Sequence, residues 1–355
     1  MADRAIDPVR ISHDRFQRDG NEGEFDGHEA LPNTASKGVK PVAHGGDLGD
    51  VRRRYPHAPQ PWIDLSTGVN PVPYPVPALS SESWTRLPSR ADLRTLIAAA
   101  AARYGIMDAE TIVAAPGTQA LIQLLPRLIP KSRVAIVGPT YEEHEVSWRR
   151  QGHEVAIVDR LPTSADVTVL VNPNNPTGRL MTPSELRAIG GMLIVDEAFI
   201  DFHPRSASVA GTNAIVLRSF GKTYGLAGLR LGFAIAERAL AMRLREELGP
   251  WAVPGPAIEI GRQALADDVW LAQTSRRLAS DSQRLDDLLV RAGFTIVGGT
   301  TLFRLAERPD AKAVLDTLGH HGIHVRSFPR EPTWLRFGLP ANDSEFSRLA
   351  KALSQ

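Results

Sequence analysis

Short, strongly apolar runs alternate with segments of helical character along the middle of the chain. Runs of this kind, bounded by turn residues, are typical of buried strands. Strands this apolar, separated by helices, predict a parallel sheet that is covered by helices on both faces. In such sheets the loops at the carboxyl ends of the strands carry the ligand. The predicted strands are 112–115, 133–137, 154–158, 167–171, 192–195, 214–217 and 229–236.

Capping residues mark where several helices begin. Ser89 with an acid at Asp92 predicts a helix start, and Gly105 is expected to end that helix. The stretch 182–185 combines a threonine cap, a proline at the first helical position and a capping-box glutamate. After Glu237 the pattern turns helical, and short strands then alternate with helices, which predicts a smaller α+β domain.

The chain is expected to divide into four parts. Residues 1–40 are polar and lack a sustained period, which is typical of a flexible extension. Residues 41–105 are expected to contribute to the small domain and to an interface. Residues 106–250 form the large, ligand-binding domain in this scheme, and 251–355 form the C-terminal small domain.

Composition and charge narrow the class of protein. The 355 residues are 43% hydrophobic and 23% charged, as in an ordinary globular protein. A formal net charge of +1 gives no reason to expect a nucleic acid or a membrane surface as a partner. With 0 cysteines, disulfides and thiolate chemistry are excluded, and we expect no metal site. No apolar run approaches the roughly 20 residues of a membrane span, so we expect a cytoplasmic enzyme.

The glycine-rich stretch 219–230 carries the strongest chemical signal. It follows an apolar run and offers a hydroxyl at Ser219, an amine at Lys222 and a guanidinium at Arg230. A lysine flanked by these two groups suits a phosphate-bearing aldehyde, because the amine can form a Schiff base while the hydroxyl and guanidinium hold the phosphate. A solvated lysine on a surface loop is the alternative.

Two other glycine turns permit close approach of the backbone to a ligand. Gly117 and Thr118 open a predicted helix, whose free N–H groups would face an anion. His44 is followed by Gly45 and another glycine, although without context a plain turn explains that stretch better. The proline-rich stretch 66–75 predicts an ordered, extended connection.

Three motifs in order carry a resemblance to a known family. They are Asn-Pro-Asn-Asn-Pro-Thr-Gly at 172–178, Asp-Glu-Ala-Phe at 196–199, and the lysine stretch at 219–230. Over about residues 40–350 the chain resembles the pyridoxal-phosphate enzymes of aminotransferase fold type I. The resemblance implies an α/β fold, with a mostly parallel seven-stranded sheet between helices in a large domain and a smaller α+β domain. It also implies pyridoxal 5'-phosphate as the cofactor.

The resemblance implies a role toward the cofactor for each matching residue. Lys222 matches the Schiff-base lysine, and Asp196 matches the carboxylate that keeps the pyridine nitrogen protonated. Tyr141 matches the aromatic residue that stacks on the ring, and Asn175 matches the residue that binds the phenolic oxygen. We expect the cation of Arg230 to lower the pKa of Lys222. The phosphate is implied to lie on Gly117, Thr118, Ser219 and Arg230.

The substrate residues follow from the same resemblance. Arg336 matches the arginine that binds the substrate α-carboxylate. A planar guanidinium suits this role because it can donate two parallel hydrogen bonds to a carboxylate. Arg326 is the second basic residue of the pocket. Two branches of the family compete, the histidinol-phosphate aminotransferases and the threonine-phosphate decarboxylases. In the second branch, the residues implied to contact phosphothreonine are His44, Gly45, Gly68, Asn175, Arg326 and Arg336.

Phe199 and three stretches bear on the choice of branch, and Leu87 departs from the relatives' pattern. The aminotransferases tend to have tyrosine where Phe199 stands, and the stretches 44–47, 64–71 and 196–202 resemble the decarboxylases. Leu87 stands where relatives often have a tyrosine that reaches the partner subunit's cofactor phosphate, so that contact stays open.

The resemblance implies pyridoxal-phosphate-dependent decarboxylation of L-threonine O-3-phosphate to (R)-1-amino-2-propanol O-2-phosphate and CO2, in cobalamin biosynthesis, by a homodimer. Amino transfer stays open, because rotation about one bond of the substrate decides whether CO2 or a proton leaves the α-carbon. A non-catalytic regulatory relative is a third interpretation, and the intact Lys222 and Asp196 argue against it.

Overall fold

The structure, a computed structural model, describes residues 44–162 and 164–355, and the extension expected at 1–40 lies outside them. The strands are β1 (Ile63–Leu65), β2 (Ile112–Ala115), β3 (Arg133–Val137), β4 (Glu154–Val158), β5 (Val167–Val171), β6 (Met192–Asp196), β7 (Ile215–Ser219), β8 (Gly232–Ile235), β9 (Thr295–Thr300), β10 (Phe303–Glu307), β11 (Ile323–Phe328) and β12 (Glu331–Gly338). The α-helices are α1 (Gly49–Arg54), α2 (Ser81–Thr85), α3 (Arg90–Tyr104), α4 (Thr118–Leu128), α5 (Glu143–Arg150), α6 (Pro183–Arg187), α7 (Phe220–Thr223), α8 (Arg238–Leu248), α9 (Gly255–Ala266), α10 (Asp268–Arg291), α11 (Ala311–His320) and α12 (Asp343–Leu353).

The helix starts follow the capping signals. The Ser89 side chain accepts from the backbone N–H of Asp92 while the Asp92 carboxylate accepts from the N–H of Ser89, and Gly105 ends α3 in the left-handed conformation. The same reciprocal pair joins Thr182 and Glu185 at the start of α6. Both predicted capping boxes are therefore confirmed.

The larger sheet has seven strands in the order β2-β8-β7-β6-β5-β3-β4. The pairs β3–β4, β3–β5, β5–β6 and β6–β7 are parallel, and β8 runs antiparallel to β2 and β7. The mostly parallel seven-stranded sheet is therefore confirmed. Neighbouring residues of one strand enter different cores: Val216 packs in one apolar cluster, whereas Ile215 and Leu217 pack in another. Both faces of the sheet are buried, as the unbroken apolar runs predict.

The strand predicted at 229–236 is shorter than expected. Ala227–Leu229 form a 3-10 turn, Arg230 has a left-handed backbone with φ of 52°, and β8 begins at Gly232. The connection from β7 to β8 contains only the short α7 and this turn, with no helix long enough to cover a face of the sheet. β8 runs antiparallel to β7.

The smaller sheet has five strands in the order β1-β11-β12-β10-β9. β1 pairs parallel with β11, and the other pairs are antiparallel. Its core is shared with α10, α11 and α12 through Leu285, Leu318 and Leu349. Of the predicted segment 41–105, the described part 44–105 is divided between the two cores, because β1 joins this sheet whereas α3 packs on α9 in the core of the larger sheet.

Candidate active site

The predicted site residues follow strands whose carboxyl ends meet at one edge of the larger sheet. Thr118 opens α4 after β2, Tyr141 follows β3, Asn175 follows β5, Asp196 ends β6, and Lys222 follows β7. The parallel register of these strands brings distant positions together; for example, Asp196 pairs with Leu217, shortly before the lysine. The topology alone therefore gathers side chains from five loops at one cleft.

Lys222 lies in α7, which has only four residues. Neighbouring segments hold this short helix in place, since Asn70 donates its backbone N–H to the carbonyl of Lys222 at 2.9 Å and its side-chain N–H to the carbonyl of Thr223 at 3.0 Å. The amine nitrogen Nζ lies 5.8 Å from the centre of the Phe199 ring. The backbone at Lys222 is thus held in place by contacts from outside its own helix.

The pKa of Lys222 is lowered to about 8, first by burial and then by the guanidinium groups of Arg336 and Arg230, while Asp196 opposes the shift. The direction is the one expected from the sequence. The cause differs, because burial and Arg336 come before Arg230. A lysine with this pKa is partly unprotonated near neutral pH and can act as a nucleophile or move a proton.

Asp196 is buried at the end of β6. Its Oδ1 atom accepts the backbone N–H of Ala198 at 3.1 Å, and its Oδ2 atom lies 3.2 Å from Nε2 of His144. His144 is buried in the first turn of α5 and was not among the residues predicted from the sequence. Its position three residues after Tyr141 is the one signal that could have drawn attention to it. A buried carboxylate held by two hydrogen-bond partners suits a stable contact with a protonated ring nitrogen.

Tyr141 begins a chain of polar contacts along one wall of the cleft. Its hydroxyl donates to Oε1 of Gln119 at 3.1 Å, the amide of Gln119 donates to Oε2 of Glu143 at 2.9 Å, and Nε2 of His44 lies 2.9 Å from the other oxygen of Glu143. Burial, with help from the charges of Glu143 and Asp196, raises the pKa of Tyr141 to about 12. The tyrosine is therefore a neutral, oriented ring in this wall.

The stretch after His44 is fastened to the turn after β1. The backbone N–H of Gly46 donates to Oγ of Ser66 at 2.8 Å, and Ser66 is itself held by Asp64. A Cβ atom at Gly45 would clash with the carbonyl oxygen of Ser66. Glycine at 45 is thus needed for His44 to reach the cleft wall.

A cradle for an anion lies between the start of α4 and Arg230. Gly117 has φ of 84°, and a Cβ atom there would lie 2.7 Å from Nη2 of Arg230. The first-turn N–H groups of α4 and the guanidinium therefore meet at a place that only glycine leaves open. Ser219 precedes α7 at the same edge, and its side chain is not used to cap that helix.

Two arginines face each other across β11 and β12, where Arg326 pairs with Arg336. Arg336 is buried; it donates through Nη1 to Oδ1 of Asn175 and through Nη2 to the carbonyl of Ser66 at 2.7 Å. Burial and the neighbouring cation of Arg326 lower the pKa of Arg336 to about 10. Burial also lowers the pKa of Arg326, although Glu142 opposes that shift. Two cations side by side are unfavourable without an anion, so this pair is suited to a carboxylate.

Phe199 closes the cleft with an apolar ring. It packs edge-on against Phe303 with ring centres 5.1 Å apart, and a Cβ atom at Gly68 would lie 3.0 Å or less from both rings. Gly68 therefore has to be glycine for the two rings to meet. Leu87 lies elsewhere, with 68% of its surface exposed in the single chain.

The residues present fit pyridoxal phosphate. The Gly117 cradle with Arg230 matches a phosphate, the buried carboxylate of Asp196 matches a protonated pyridine nitrogen, and the amine of Lys222 matches an aldehyde. The Asn175–Pro176 bond is cis. Among the described residues, no group of three or more His, Cys, Asp and Glu side chains is placed to hold a metal ion. Within the same ranges, none of the helices combines the length and apolar character needed to cross a bilayer.

Comparison with known proteins identifies the family. The chain belongs to the aminotransferase class I and II family, which matches residues 60–353. It is 45% identical to a threonine-phosphate decarboxylase from Pseudomonas aeruginosa over 88% of this chain and 97% of that one. It is 42% identical to a threonine-phosphate decarboxylase from a Sinorhizobium species over 89% and 98% of the two chains.

Solved structures agree on the fold. A histidinol-phosphate aminotransferase from Sinorhizobium meliloti in complex with pyridoxal-5'-phosphate superposes with a TM-score of 0.77 at 20% identity, covering 92% of this chain and 97% of that one. An L-threonine-O-3-phosphate decarboxylase from Porphyromonas gingivalis gives 0.68 at 22% identity, over 82% and 98%. The fold is that of the pyridoxal-phosphate enzymes of aminotransferase fold type I, as the motifs predicted.

Proposed function

We propose that this protein is a pyridoxal-phosphate-dependent decarboxylase that converts L-threonine O-3-phosphate to (R)-1-amino-2-propanol O-2-phosphate and CO2. The observation that carries the proposal is the 45% identity, over nearly the full length of both chains, to a protein named threonine-phosphate decarboxylase. The pairing of Arg326 with Arg336 beside Lys222 supports it, because an amino-acid substrate needs a carboxylate site next to the amine.

The cofactor would be held by residues from five loops of the larger sheet. When bound, pyridoxal phosphate supplies an electron sink for the bond that breaks at the α-carbon. Lys222 would hold its aldehyde carbon, and Asp196 would keep the proton on its ring nitrogen with His144 fixing the carboxylate. Tyr141 would stack on the ring and Asn175 would bind the phenolic oxygen. The phosphate would lie on Gly117, Thr118, Ser219 and Arg230.

The substrate would be oriented by charge. Arg336 and Arg326 would hold the carboxylate, and this orientation would decide which bond at the α-carbon breaks. Lys222 Nζ would be released when the substrate's amino group takes its place on the aldehyde carbon, and the free amine, with its pKa of about 8, would return a proton to the α-carbon after CO2 has left. His44, with Gly45 and Gly68 leaving room, would close the cleft over the substrate. Phe199 offers no hydroxyl at its position, which leaves Nζ of Lys222 beside an apolar ring.

The proposal is tested by incubating the purified enzyme and pyridoxal phosphate with L-threonine O-3-phosphate in the absence of any oxo acid. We expect CO2 release and one equivalent of aminopropanol phosphate per CO2. Histidinol phosphate with 2-oxoglutarate serves as the comparison. Turnover that requires an oxo acid, with glutamate as a product and no CO2, would contradict decarboxylation and favour an aminotransferase.

We also propose a cytoplasmic homodimer that acts in cobalamin biosynthesis. Exposed apolar side chains on the segment 81–88 support a dimer, since Trp84 and Leu87 are 70% and 68% exposed in the single chain. Sedimentation equilibrium at micromolar concentration checks the dimer: a mass of 38.7 kDa would refute it, and twice that mass is expected.

A further inference from the structure

A buried ionic network lies directly behind the Lys222 turn. Arg218 of β7 donates through Nη1 to Oε2 of Glu197 at 3.0 Å and through Nη2 to Asp201. Its guanidinium carbon also lies 4.3 Å from the centre of the Tyr104 ring. Although burial opposes the charge, the carboxylates of Asp201 and Glu197 raise the pKa of Arg218, so it stays charged.

The network reaches α7 through a single hydroxyl. Thr223 is 1% exposed, and its Oγ1 atom donates to Oδ2 of Asp201 at 2.5 Å. At the other end, Glu197 is 1% exposed and also accepts the hydroxyl of Ser208 at 2.6 Å and the N–H of Val209 at 2.8 Å. The two carboxylates are thus fully engaged and rigidly held.

The two residues at the ends of the network are adjacent in sequence to two residues of the cleft. Glu197 follows Asp196, and Thr223 follows Lys222. Successive residues at the end of a strand point to opposite faces, so Glu197 can enter the network while Asp196 faces the cleft. The path Glu197–Arg218–Asp201–Thr223 therefore ties together the two backbone positions that carry the cleft's carboxylate and amine.

Local structure cannot fix Lys222 by itself. A helix of four residues such as α7 has no stability of its own, because helix formation needs many more residues to offset nucleation. Glycines at 221 and 225 add backbone freedom on either side of the lysine. Contacts from other elements have to supply the rigidity. Asn70 holds the carbonyls of Lys222 and Thr223, and the Thr223 hydroxyl adds the side-chain contact that links α7 to the ionic network.

We propose that Thr223, Asp201, Arg218 and Glu197 are positioning residues that set the distance and angle between the Lys222 amine and the Asp196 carboxylate. This inference rests on the proposed function in that those two groups are taken to hold the cofactor. None of the four positioning residues is assigned a contact with cofactor or substrate. Their effect is to keep the amine and the carboxylate at the spacing that one ring requires.

The test removes the hydroxyl group of Thr223 and preserves the shape of the side chain. Thr223→Val is nearly isosteric, and Thr223→Ser restores the donor without the methyl group. Thr168→Val is the matched control, because the Thr168 hydroxyl is equally buried in β5 and makes no hydrogen bond within the described residues. The measurements are the dissociation constant of pyridoxal phosphate, the visible circular dichroism of the bound cofactor, and kcat and KM for L-threonine O-3-phosphate.

For Thr223→Val we expect a weaker visible circular dichroism band, weaker cofactor binding and a kcat about tenfold lower at similar KM, since small misplacements of reacting groups cost rate. Thr223→Ser and Thr168→Val should stay close to wild type, whereas Thr223→Val should melt at a lower temperature, because Oδ2 of Asp201 loses its hydroxyl partner. A Thr223→Val protein with wild-type dichroism and cofactor affinity would overturn the proposal, as would equal losses in Thr168→Val.

The two proposals fail in different ways. If the wild-type protein does not turn over L-threonine O-3-phosphate, the proposed function fails. The circular dichroism and the cofactor affinity of the variants still test the positioning role in that case. If Thr223→Val does not fold, Thr223→Ala compared with Thr223→Ser gives the same contrast. Equal dichroism and affinity in that second pair would overturn the inference.

Discussion

Replacing Arg336 by lysine tests the carboxylate site most directly. A guanidinium has five N–H donors. Two of the N–H donors of Arg336 already form hydrogen bonds, one to the side chain of Asn175 and one to the backbone carbonyl of Ser66. Three donors remain, which is enough for bidentate contact with a carboxylate while both anchors stay in place. Lysine has three donors on one atom and cannot keep two anchors and a bidentate contact together.

The magnitude follows from the bonds that are lost. Each charge-assisted hydrogen bond is worth about 1.5 kcal/mol at the low end, so losing two costs about 3 kcal/mol. That corresponds to a fall of about a hundredfold in kcat/KM. The burial that already lowers the pKa of Arg336 to about 10 would lower the pKa of a lysine there toward neutrality, which weakens the site further.

The assay is steady-state decarboxylation of L-threonine O-3-phosphate at neutral pH, with the melting temperature as a check on folding. Arg330→Lys is the control, because Arg330 is exposed in the turn between β11 and β12 and its replacement should change kcat/KM by no more than about twofold. An Arg336→Lys enzyme within about tenfold of wild type would refute the bidentate reasoning, as would an equal loss in the control.

Two further predictions concern the lysine and the segment that carries His44. Without cofactor, Lys222 has a pKa of about 8 in the folded protein against 10.5 for a free lysine, so the unfolded chain binds more protons between these values and stability rises with pH. The difference in unfolding free energy between wild type and Lys222→Met should therefore shift in favour of wild type by about 2–3 kcal/mol from pH 8 to 10.5, and urea titrations that give a constant difference would contradict this. In Gly45→Ala, the clash with Ser66 should displace His44 and raise KM by about tenfold. Gly190→Ala, where a Cβ atom meets nothing within 4 Å, should leave KM unchanged, and similar KM values in the two variants would count against a role for the segment.

Local sequence was a good guide to the elements and to much of the cleft. The capping boxes at Ser89 and Thr182 and the apolar strands, apart from the one expected at 229–236, were predicted correctly, because they depend on residues a few positions apart. The resemblance pointed to Lys222 and Asp196 through short motifs at strand ends, and the structure brings both to one edge of the sheet. Their roles toward a cofactor stay predictions.

The partners of those groups became visible only in three dimensions. Spacing along the chain says nothing about His144 lying against Asp196, or about the network that joins Arg218 to Thr223. The antiparallel direction of β8 is likewise seen only in the structure.

The sequence by itself determined most strands of the larger sheet and the helix starts that carry capping signals, and it carried the motifs that identify the family. Only the tertiary structure decided which charges face each other: Arg326 opposite Arg336, and Arg336 ahead of Arg230 in its effect on the pKa of Lys222. The physical reason is that helix and strand formation depend on neighbouring residues, whereas the electrostatics of a cleft depend on distances through space and on burial, which are set when sheets pair and pack.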